Sequence, residues 1–392
     1  MHCGGSTRVI GVLLVALGCG ATPDAGEELA TSDGGEGDPA CDGAVGCTPD
    51  CNRAAPAVEA TLPQQTWAAM FDGDGSVLVV ASGSPYTLAR LSADGTQQWS
   101  TPIDGGGNGV AVERIRVGTQ IVLFGARITG APRVGAIWRF AADGTALGRV
   151  DDEAERDYVD GAVAEDGDAV VLVGSLDEFG TTVERRSVDG DVVSSRAIDP
   201  GGEIAAHRIA VLEDDVVIAV GSAADAAVPA IVRIADDDVT PTRLPASDYA
   251  GAYFHAVAAD GEGGAVAVGD SAGQAIIARV AEDGSIAWIS ECSPSRGAAN
   301  GIVVANDRVI VHGRRFVRED GCTDACSGAY TPWIEHLGRD GSVIARDTPL
   351  ALGTPPDDYP FESVVALAPN DDGEVIALVG GGTSSYLARF PW

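Results

Sequence analysis

The sequence predicts an all-β fold, a seven-bladed β-propeller, from a repeated unit, its spacing and the strand pattern inside each copy. The clearest copies read VAVGDSAGQAIIARVAEDGSIAW at 266–288 and VLVVASGSPYTLARLSADGTQQW at 77–99. Copies recur every 46–57 residues, which suits a four-stranded blade and exceeds the length of a helical-pair repeat. The residue that marks each copy is Arg90, Arg139, Arg185, Arg233, Arg279, His336 or Arg389.

The second strand of each blade is the easiest element to recognise, because it is a short apolar run that usually ends at a glycine. A run of this kind between turn signals is typical of a fully buried strand. The seven runs are Val77–Ala81, Ile121–Gly125, Ala169–Gly174, Val216–Gly221, Ala265–Gly269, Val309–Gly313 and Val375–Gly380. Asp-Gly turns precede them and follow the third strands, so one face of the disc is predicted to carry tight hairpin turns.

The last copy ends just after its third strand, so its outer strand must come from elsewhere in the chain. The segment Ala57–Leu62 is compatible with a strand and precedes the first blade. Pairing this segment with the last blade would close the ring and remove two exposed sheet edges.

The connections on the opposite face, here called the loop face, vary most between copies. These are Thr101–Asn108, Asp151–Asp157, Leu244–Ala252, Glu291–Gly297, Arg314–Pro332 and Thr348–Pro360. Loops on a rigid scaffold commonly carry function, so ligand binding is predicted on this face.

The N-terminal region predicts export. Arg8 precedes the apolar run Val9–Leu17, which is too short to span a bilayer as a permanent helix. Val15–Cys19 resembles the lipobox of bacterial lipoproteins, which implies a signal peptide at 1–18 and a lipid-modified Cys19; the alternative is an ordinary secretory signal. Residues 19–57 are rich in Gly, Asp, Glu, Ala and Pro and predict a disordered acidic tether, followed by the propeller at 58–392.

Six cysteines remain besides Cys3 and Cys19, a number that suits three disulfides in an oxidising compartment. They are Cys41, Cys47, Cys51, Cys292, Cys322 and Cys326. If all six pair, at least one bridge joins tether to propeller, but the sequence leaves the connectivity open. Zinc is the competing interpretation; the CxxxC at 322 and 326 lacks a second ligand pair at suitable spacing, so no metal is predicted.

The charge of the chain excludes several classes of function. Its 58 acidic and 25 basic residues give a formal net charge of −33, and every basic residue is an arginine. The absence of lysine excludes Schiff-base chemistry and a lysine general base. The acidic field also opposes binding to nucleic acids and anionic lipids, which require clustered positive charge.

Aligning the starts of the first strands predicts a ring of mostly polar side chains at the mouth of the central channel. Its members are Trp67, Asn108, Asp160, His207, His255, Asn300 and Ser363. These side chains could bind a ligand, since pockets with a few convergent polar groups are typical binding sites. They could instead form hydrogen bonds with neighbouring blades and channel water. A metal held by the two histidines and Asp160 is a weaker alternative.

Two further motifs have structural interpretations. The repeated arginine at the end of the third strand keeps a fixed spacing from the Asp-Gly turn, which predicts an ion pair that caps a turn or links blades. Gly269–Gly273 fits the G-x-S-x-G pattern of serine hydrolases. That chemistry needs a strand, a sharp turn and a helix, whereas here a strand follows a strand, so no catalytic nucleophile is predicted.

The second-strand glycine and the later Ala-Asp-Gly turn resemble the seven-bladed propeller repeats of bacterial exported lipoproteins over about residues 58–392. Asp94-Gly95 to Trp99 and Asp283-Gly284 to Trp288 also resemble the blade signature of quinone-dependent dehydrogenases. The chain has neither lysine nor a vicinal cysteine pair for a quinone site, and no cofactor is predicted.

The resemblance implies a monomeric, non-catalytic propeller in the bacterial cell envelope, anchored to the outer membrane by its lipid. Such a protein would bind a protein, peptide or glycan through its loop face. The alternative is a lyase or hydrolase that uses His207, His255 and Asp160 at the channel mouth.

Overall fold

The computed structural model describes residues 57–391, except for 63–65, 73–74, 82, 107–108, 129–132, 175–179, 200–201, 224–227, 237, 272–273, 291–296, 306–307, 319–327, 348–361, 370–373 and 382–383. The described residues form an all-β propeller of four-stranded antiparallel sheets. The predicted signal peptide, residues 19–56 of the predicted tether and all eight cysteines lie outside the described residues. The last predicted tether residue, Ala57, begins β1.

Each sheet begins with a strand that lies closest to the central channel. The first strands are β2 (Thr66–Phe71), β6 (Gly109–Val117), β10 (Asp157–Val163), β14 (Ile204–Val211), β18 (Tyr253–Ala259), β22 (Gly297–Ala305) and β26 (Glu362–Pro369). The second strands are β3 (Val77–Ala81), β7 (Ile121–Ile128), β11 (Ala169–Gly174), β15 (Val217–Ala223), β19 (Ala265–Ser271), β23 (Arg308–Arg318) and β27 (Glu374–Gly381). They match the predicted apolar runs and are buried because both of their faces contact neighbouring sheets.

The third and outer strands complete each sheet. The third strands are β4 (Thr87–Leu91), β8 (Arg133–Phe140), β12 (Thr182–Arg186), β16 (Val228–Ala235), β20 (Gln274–Val280), β24 (Gly328–Gly338) and β28 (Ser384–Pro391). The outer strands are β5 (Gln97–Pro102), β9 (Ala146–Asp151), β13 (Val192–Ala197), β17 (Asp238–Arg243), β21 (Ile286–Ser290), β25 (Val343–Asp347) and β1 (Ala57–Leu62). Outer strands such as β5 and β13 alternate between exposed and half-buried residues, as expected at a sheet edge.

Six sheets consist of four consecutive strands, and one composite sheet joins β1 to β26, β27 and β28. β1 pairs antiparallel with β28, so the predicted pairing of Ala57–Leu62 with the last blade is observed. The composite sheet packs against the first blade in one hydrophobic cluster and against the sixth blade in another. Burial between neighbouring sheets is therefore continuous around the channel.

Two loop-face segments are more ordered than the sequence predicts. Residues 314–318 and 328–332, expected to be a loop, extend the β23–β24 hairpin, with Arg318 opposite Gly328. Each side of the extension contains one aromatic and one β-branched residue, Phe316 with Val317 and Tyr330 with Thr331, which favour strand structure. The segment at 244–252 forms the short helix α1 (Ala246–Tyr249) and places Leu244 and Tyr249 in the core. In the described part of the chain no helix is both long and apolar enough to span a membrane.

A bulge interrupts every first strand near the channel. One extra residue lies between the two residues that pair with adjacent positions of the second strand. The extra residues are Trp67, Glu113, Val159, His207, His255, Asn300 and Val365.

The bulge explains why four second strands carry a glycine. In the fifth blade, a Cβ added to Gly269 would lie 1.9 Å from the carbonyl oxygen of Tyr253, just before the bulge. Gly125, Gly221 and Gly313 have the same close approach, at 1.9–2.0 Å from a first-strand carbonyl oxygen. In these four blades the glycine accommodates the close approach of the bulged strand, where a larger residue would clash. The other three blades have Ala81, Val173 and Val379 at the equivalent position opposite the bulge.

Candidate functional site

The loop-face ends of β14 and β18 bring His207, Tyr253 and His255 together, and this group is here called the channel mouth. His207 and His255 are bulge residues of neighbouring blades, and Tyr253 precedes His255 by two positions on the same strand. The ring centroids of Tyr253 and His255 are 4.5 Å apart in an edge-on arrangement. The Tyr253 and His207 centroids are 6.2 Å apart. Both distances fall in the range of favourable aromatic contacts.

Asp270 orients one imidazole of the channel mouth. Its Oδ1 lies 2.8 Å from Nε2 of His255, and the two side chains are only 17% and 16% exposed. Asp270 directly follows Gly269 and lies opposite Tyr253 across the β18–β19 pair. The bulge and the second-strand glycine thus position the histidine and its carboxylate partner together.

The second imidazole has a different electrostatic environment. Burial lowers the pKa of His207 to about 4, with further lowering by the charges of Arg208 and His255. His207 is consequently neutral at pH 7. The channel mouth therefore offers a neutral imidazole and an aromatic ring beside the Asp270-bound His255.

Asp160 has an arginine and a backbone N–H group as its described partners. Its carboxylate is completely buried, accepts a hydrogen bond from Nε of Arg114 at 2.8 Å, and accepts a second from the backbone N–H of Ile209 at 2.9 Å. Burial opposes its ionisation, but the charges of Arg114, Arg208 and Arg116 outweigh this effect and lower the pKa of Asp160. Asp160 therefore links the first strands of three consecutive blades through Arg114 and Ile209.

The positions of the bulges show that the seven residues of the predicted ring do not occupy one equivalent position in every blade. Trp67, His207, His255 and Asn300 occupy equivalent bulge positions, whereas Asp160 follows its bulge residue and Ser363 precedes its own by two. The equivalent residues in blades two, three and seven are Glu113, Val159 and Val365. Asn108, predicted for blade two, lies outside the described residues. An extra residue changes the strand register, which an alignment from the loop ends cannot reveal.

Tyr253 and Asp270 belong to the site but were absent from the sequence prediction. Strand periodicity could have indicated Tyr253, because residues two apart share a face of a strand. Asp270 lies in the Gly269–Gly273 motif, which does not predict a catalytic nucleophile here. Its position directly after the second-strand glycine could have indicated that it lies beside the channel mouth.

The repeated arginine is structural in the blades where its ion pairs are described. Arg90 binds Asp72 at 2.8 Å, and Arg279 binds Asp260 at 2.8 Å and Glu262 at 3.0 Å. Arg185 binds Asp168 at 3.0 Å, and also Asp166 and Asp215. Each arginine reaches back to the turn before the second strand, so the predicted turn-capping ion pair is confirmed in these three blades.

No cluster of three or more metal-ligating His, Cys, Asp or Glu side chains occurs among the described residues. The cysteine pair at 322 and 326, considered above as a zinc ligand, lies outside them. Open cavities of about 260 and 190 Å³ lie on the turn face between blades three and five. Acidic turn residues, among them Glu165, Glu213 and Glu262, line these cavities.

Comparison with solved structures shows a β-propeller fold. The crystal structure of the RRP9 WD40 repeats is similar with a TM-score of 0.60 at 11% identity, covering 87% of this chain and 99% of that one. The WD40 propeller domain of Doa1 gives 0.55 at 13% identity and covers 86% and 97% of the two chains. Sqt1 of Chaetomium thermophilum, bound to the N-terminus of ribosomal protein L10, gives 0.51 at 11% identity and covers 85% and 99%.

No protein-family model and no curated protein sequence matches this chain. At identities of 11–13% the structural similarity shows the fold alone.

Proposed function

We propose that this protein is a non-catalytic, seven-bladed propeller of the bacterial cell envelope that binds a protein or peptide through its loop face, centred on the channel mouth. The observation that carries the proposal is the grouping of His207, Tyr253 and His255 on the first strands of two adjacent blades. Tyrosine and histidine combine an apolar ring with a polar end, which suits contact with a peptide. The Sqt1 structure, with its bound ribosomal peptide, is an example of a peptide on a similar scaffold.

The contacts of the channel mouth favour binding over catalysis. His255 has a described carboxylate partner, Asp270. An imidazole paired in this way could act as a general base only if a nucleophile or a polarised water lay beside it. Asp160, the acid of the alternative lyase or hydrolase site, is occupied by Arg114 and Ile209. No described contact therefore supports the alternative enzyme.

Attachment to the envelope is the second part of the proposal. The signal peptide at 1–18 would direct export, lipid on Cys19 would anchor the chain to the outer membrane, and residues 19–57 would act as a tether. The lipobox-like Val15–Cys19 supports this assignment. Expression of Cys19→Ser beside the wild type in a bacterial host, with radiolabelled palmitate and detergent phase partitioning, tests it. Label and detergent partitioning should be lost in the variant; equal behaviour of both proteins contradicts the anchor.

The binding site is tested by affinity capture from an envelope extract on immobilised full-length protein. The site variant is His207→Ala/Tyr253→Ala/His255→Ala, and the matched control is Gln97→Ala/Gln98→Ala on the exposed outer strand β5. Circular dichroism and thermal melting establish that all three proteins are folded. Captured proteins are identified by mass spectrometry, purified and titrated against each version.

A protein or peptide that binds the wild type and the control, but binds the site variant at least about tenfold more weakly, supports the proposal. Equal binding by all three versions moves the interface away from the channel mouth and contradicts the proposed site. A glycan array probed in parallel tests the third ligand class that the sequence leaves open; saturable glycan binding at the mouth would replace the peptide assignment.

A further inference from the structure

Three arginines on the first strands of two blades form a positive cluster in the central channel. Arg114 and Arg116 are two residues apart on β6, and Arg208 is on β14. The innermost strand between them, β10, contributes Asp160. We call Arg114, Arg116 and Arg208 the channel arginines.

The cluster has more positive than negative charge. Arg114 forms the one ion pair described for these three arginines, with Asp160. Arg116 donates to the carbonyl of Ile115 at 3.3 Å, and Arg208 donates to the carbonyl of His207 at 2.9 Å. Each guanidinium has five N–H donors, so most donors of Arg116 and Arg208 are not used in described protein contacts.

Glu113, a further carboxylate that acts on the cluster, does not neutralise it. Glu113 influences Arg208 electrostatically, but its Oε1 lies 3.2 Å from Arg133, which also pairs with Asp157. Burial and the charges of Arg114 and Arg208 lower the pKa of Arg116 to about 10. Asp160 accepts hydrogen bonds from Arg114 and from the N–H of Ile209, the residue after Arg208, and Arg116 is two residues from Arg114 on β6. The three arginines therefore surround a single carboxylate, and their like charges repel one another. Such repulsion is unusual in a chain whose formal net charge is −33.

His312 adds a polar group to the same region. It lies opposite Gly301 in the β22–β23 pair, and its Nε2 would be 2.1 Å from a Cβ at that glycine. The side chain is 7% exposed, and its buried Nδ1 has no hydrogen-bond partner among the described residues. Burial, and after it the charge of Arg114, lower the pKa of His312.

We propose that the channel arginines form a binding site for an oxyanion, a carboxylate or phosphate group of a small solute. A planar guanidinium matches the oxygen spacing of either group and donates charge-assisted hydrogen bonds. Solvent reaches the cluster, because the Arg114 side chain is 29% exposed. A bound anion would accept hydrogen bonds from the N–H groups of Arg116 and Arg208 that have no described acceptor. Its negative charge would also offset the repulsion between the arginines. This site is distinct from the channel mouth, and the inference does not depend on protein binding there.

Isothermal titration of full-length protein, in low-chloride buffer, tests the site with two probes, inorganic phosphate and succinate. The channel variants are Arg116→Gln and Arg208→Gln. The matched control is Arg149→Gln, which removes the same charge from the outer strand β9, where Arg149 pairs with Asp104 and Asp151. Thermal melting with and without each probe provides a second readout. The two probes distinguish a phosphate site from a carboxylate site.

One probe should bind the wild type and the control with similar affinity and each channel variant at least about tenfold more weakly. In buffer without a probe, Arg116→Gln should melt at or above the wild-type temperature, since the substitution removes like-charge repulsion; adding the probe should stabilise the wild type more than the variant. Absence of probe binding by the wild type, equal binding by all versions, or a folded Arg116→Gln that melts well below the wild type without probe would each overturn the proposal.

Discussion

At the scale of single residues, the burial of His312 is expected to make the free energy of unfolding depend on pH. Burial and the Arg114 charge lower its pKa to about 3, whereas an unfolded histidine titrates near 6.5. Below about pH 6.5 the unfolded chain binds a proton that the folded imidazole does not. The contribution of His312 to stability is therefore complete above the unfolded pKa and is lost as the pH falls towards 3.

We expect His312→Gln to remove this pH dependence. Between pH 7 and pH 5, the free energy of unfolding of the wild type should fall by about 2 kcal/mol more than that of the variant. Denaturant titrations at both pH values measure the difference, and a constant packing penalty in the variant cancels in it. Identical pH slopes would contradict the buried, neutral histidine. Asp157, whose pKa burial raises to about 6, has the opposite sign and is present in both proteins.

Gly269 is a residue whose replacement is limited by steric contact. Because an added Cβ would lie 1.9 Å from the Tyr253 carbonyl oxygen, Gly269→Ala must displace the bulged strand at the channel mouth. We expect a loss of about 2–3 kcal/mol in the free energy of unfolding. Gly118→Ala is the control, since no atom lies within 4 Å of its added Cβ. It should change stability by less than about 0.5 kcal/mol, and equal effects would show that the bulge does not constrain Gly269.

At the scale of elements, the repeated arginine ties the third strand to the turn before the second strand. Nε of Arg279 donates to Oδ2 of Asp260, while Oδ1 of Asp260 accepts the N–H groups of Glu262 and Gly264. One carboxylate thus orders the turn and receives the arginine. Asp260 is 3% exposed and Arg279 is 23% exposed, so solvent screens the pair only in part.

A double-mutant cycle with Arg279→Met and Asp260→Asn measures this link. We expect a coupling energy of about 1 kcal/mol, the scale for a partly exposed charge-assisted pair. Each single variant should lose more than this value, because the partner is left without its charge. Additive effects of the two substitutions would mean that the arginine and the turn act independently.

Strand positions could be predicted from the sequence better than the geometry of the channel. Apolar runs and Asp-Gly turns are local signals, and they located the second strands and even the distant strand Ala57–Leu62. The bulges depend on pairing between strands, so Asp160 and Ser363 were assigned to positions that Val159 and Val365 occupy. His207 and His255 were found because they are polar residues at the correct register, whereas Asp270 and the channel arginines required knowledge of which strands face each other.

At the scale of the whole molecule, the composite sheet holds the two ends of the described chain together. The β1–β28 ladder connects the N-terminal strand to the last blade within that sheet. Without β1, the third strand of this blade would become an exposed edge.

Deletion of residues 1–62 should therefore lower the melting temperature by more than about 5 °C relative to deletion of residues 1–51, which retains β1. The shorter chain should also aggregate more readily, because its open edge can pair with another molecule. Differential scanning calorimetry and light scattering at several concentrations measure both effects. Equal melting temperatures would show that β1 contributes little to closure.

The composite sheet also determines when, during synthesis, the ring of blades can close. β1 is made among the first described residues, but its partner β28 is made last, at Ser384–Pro391. A growing or translocating chain can complete the six consecutive-strand blades one after another while β1 has no partner. The ring can close through this pairing only after Ser384–Pro391 has been made, so products truncated before β28 are left open.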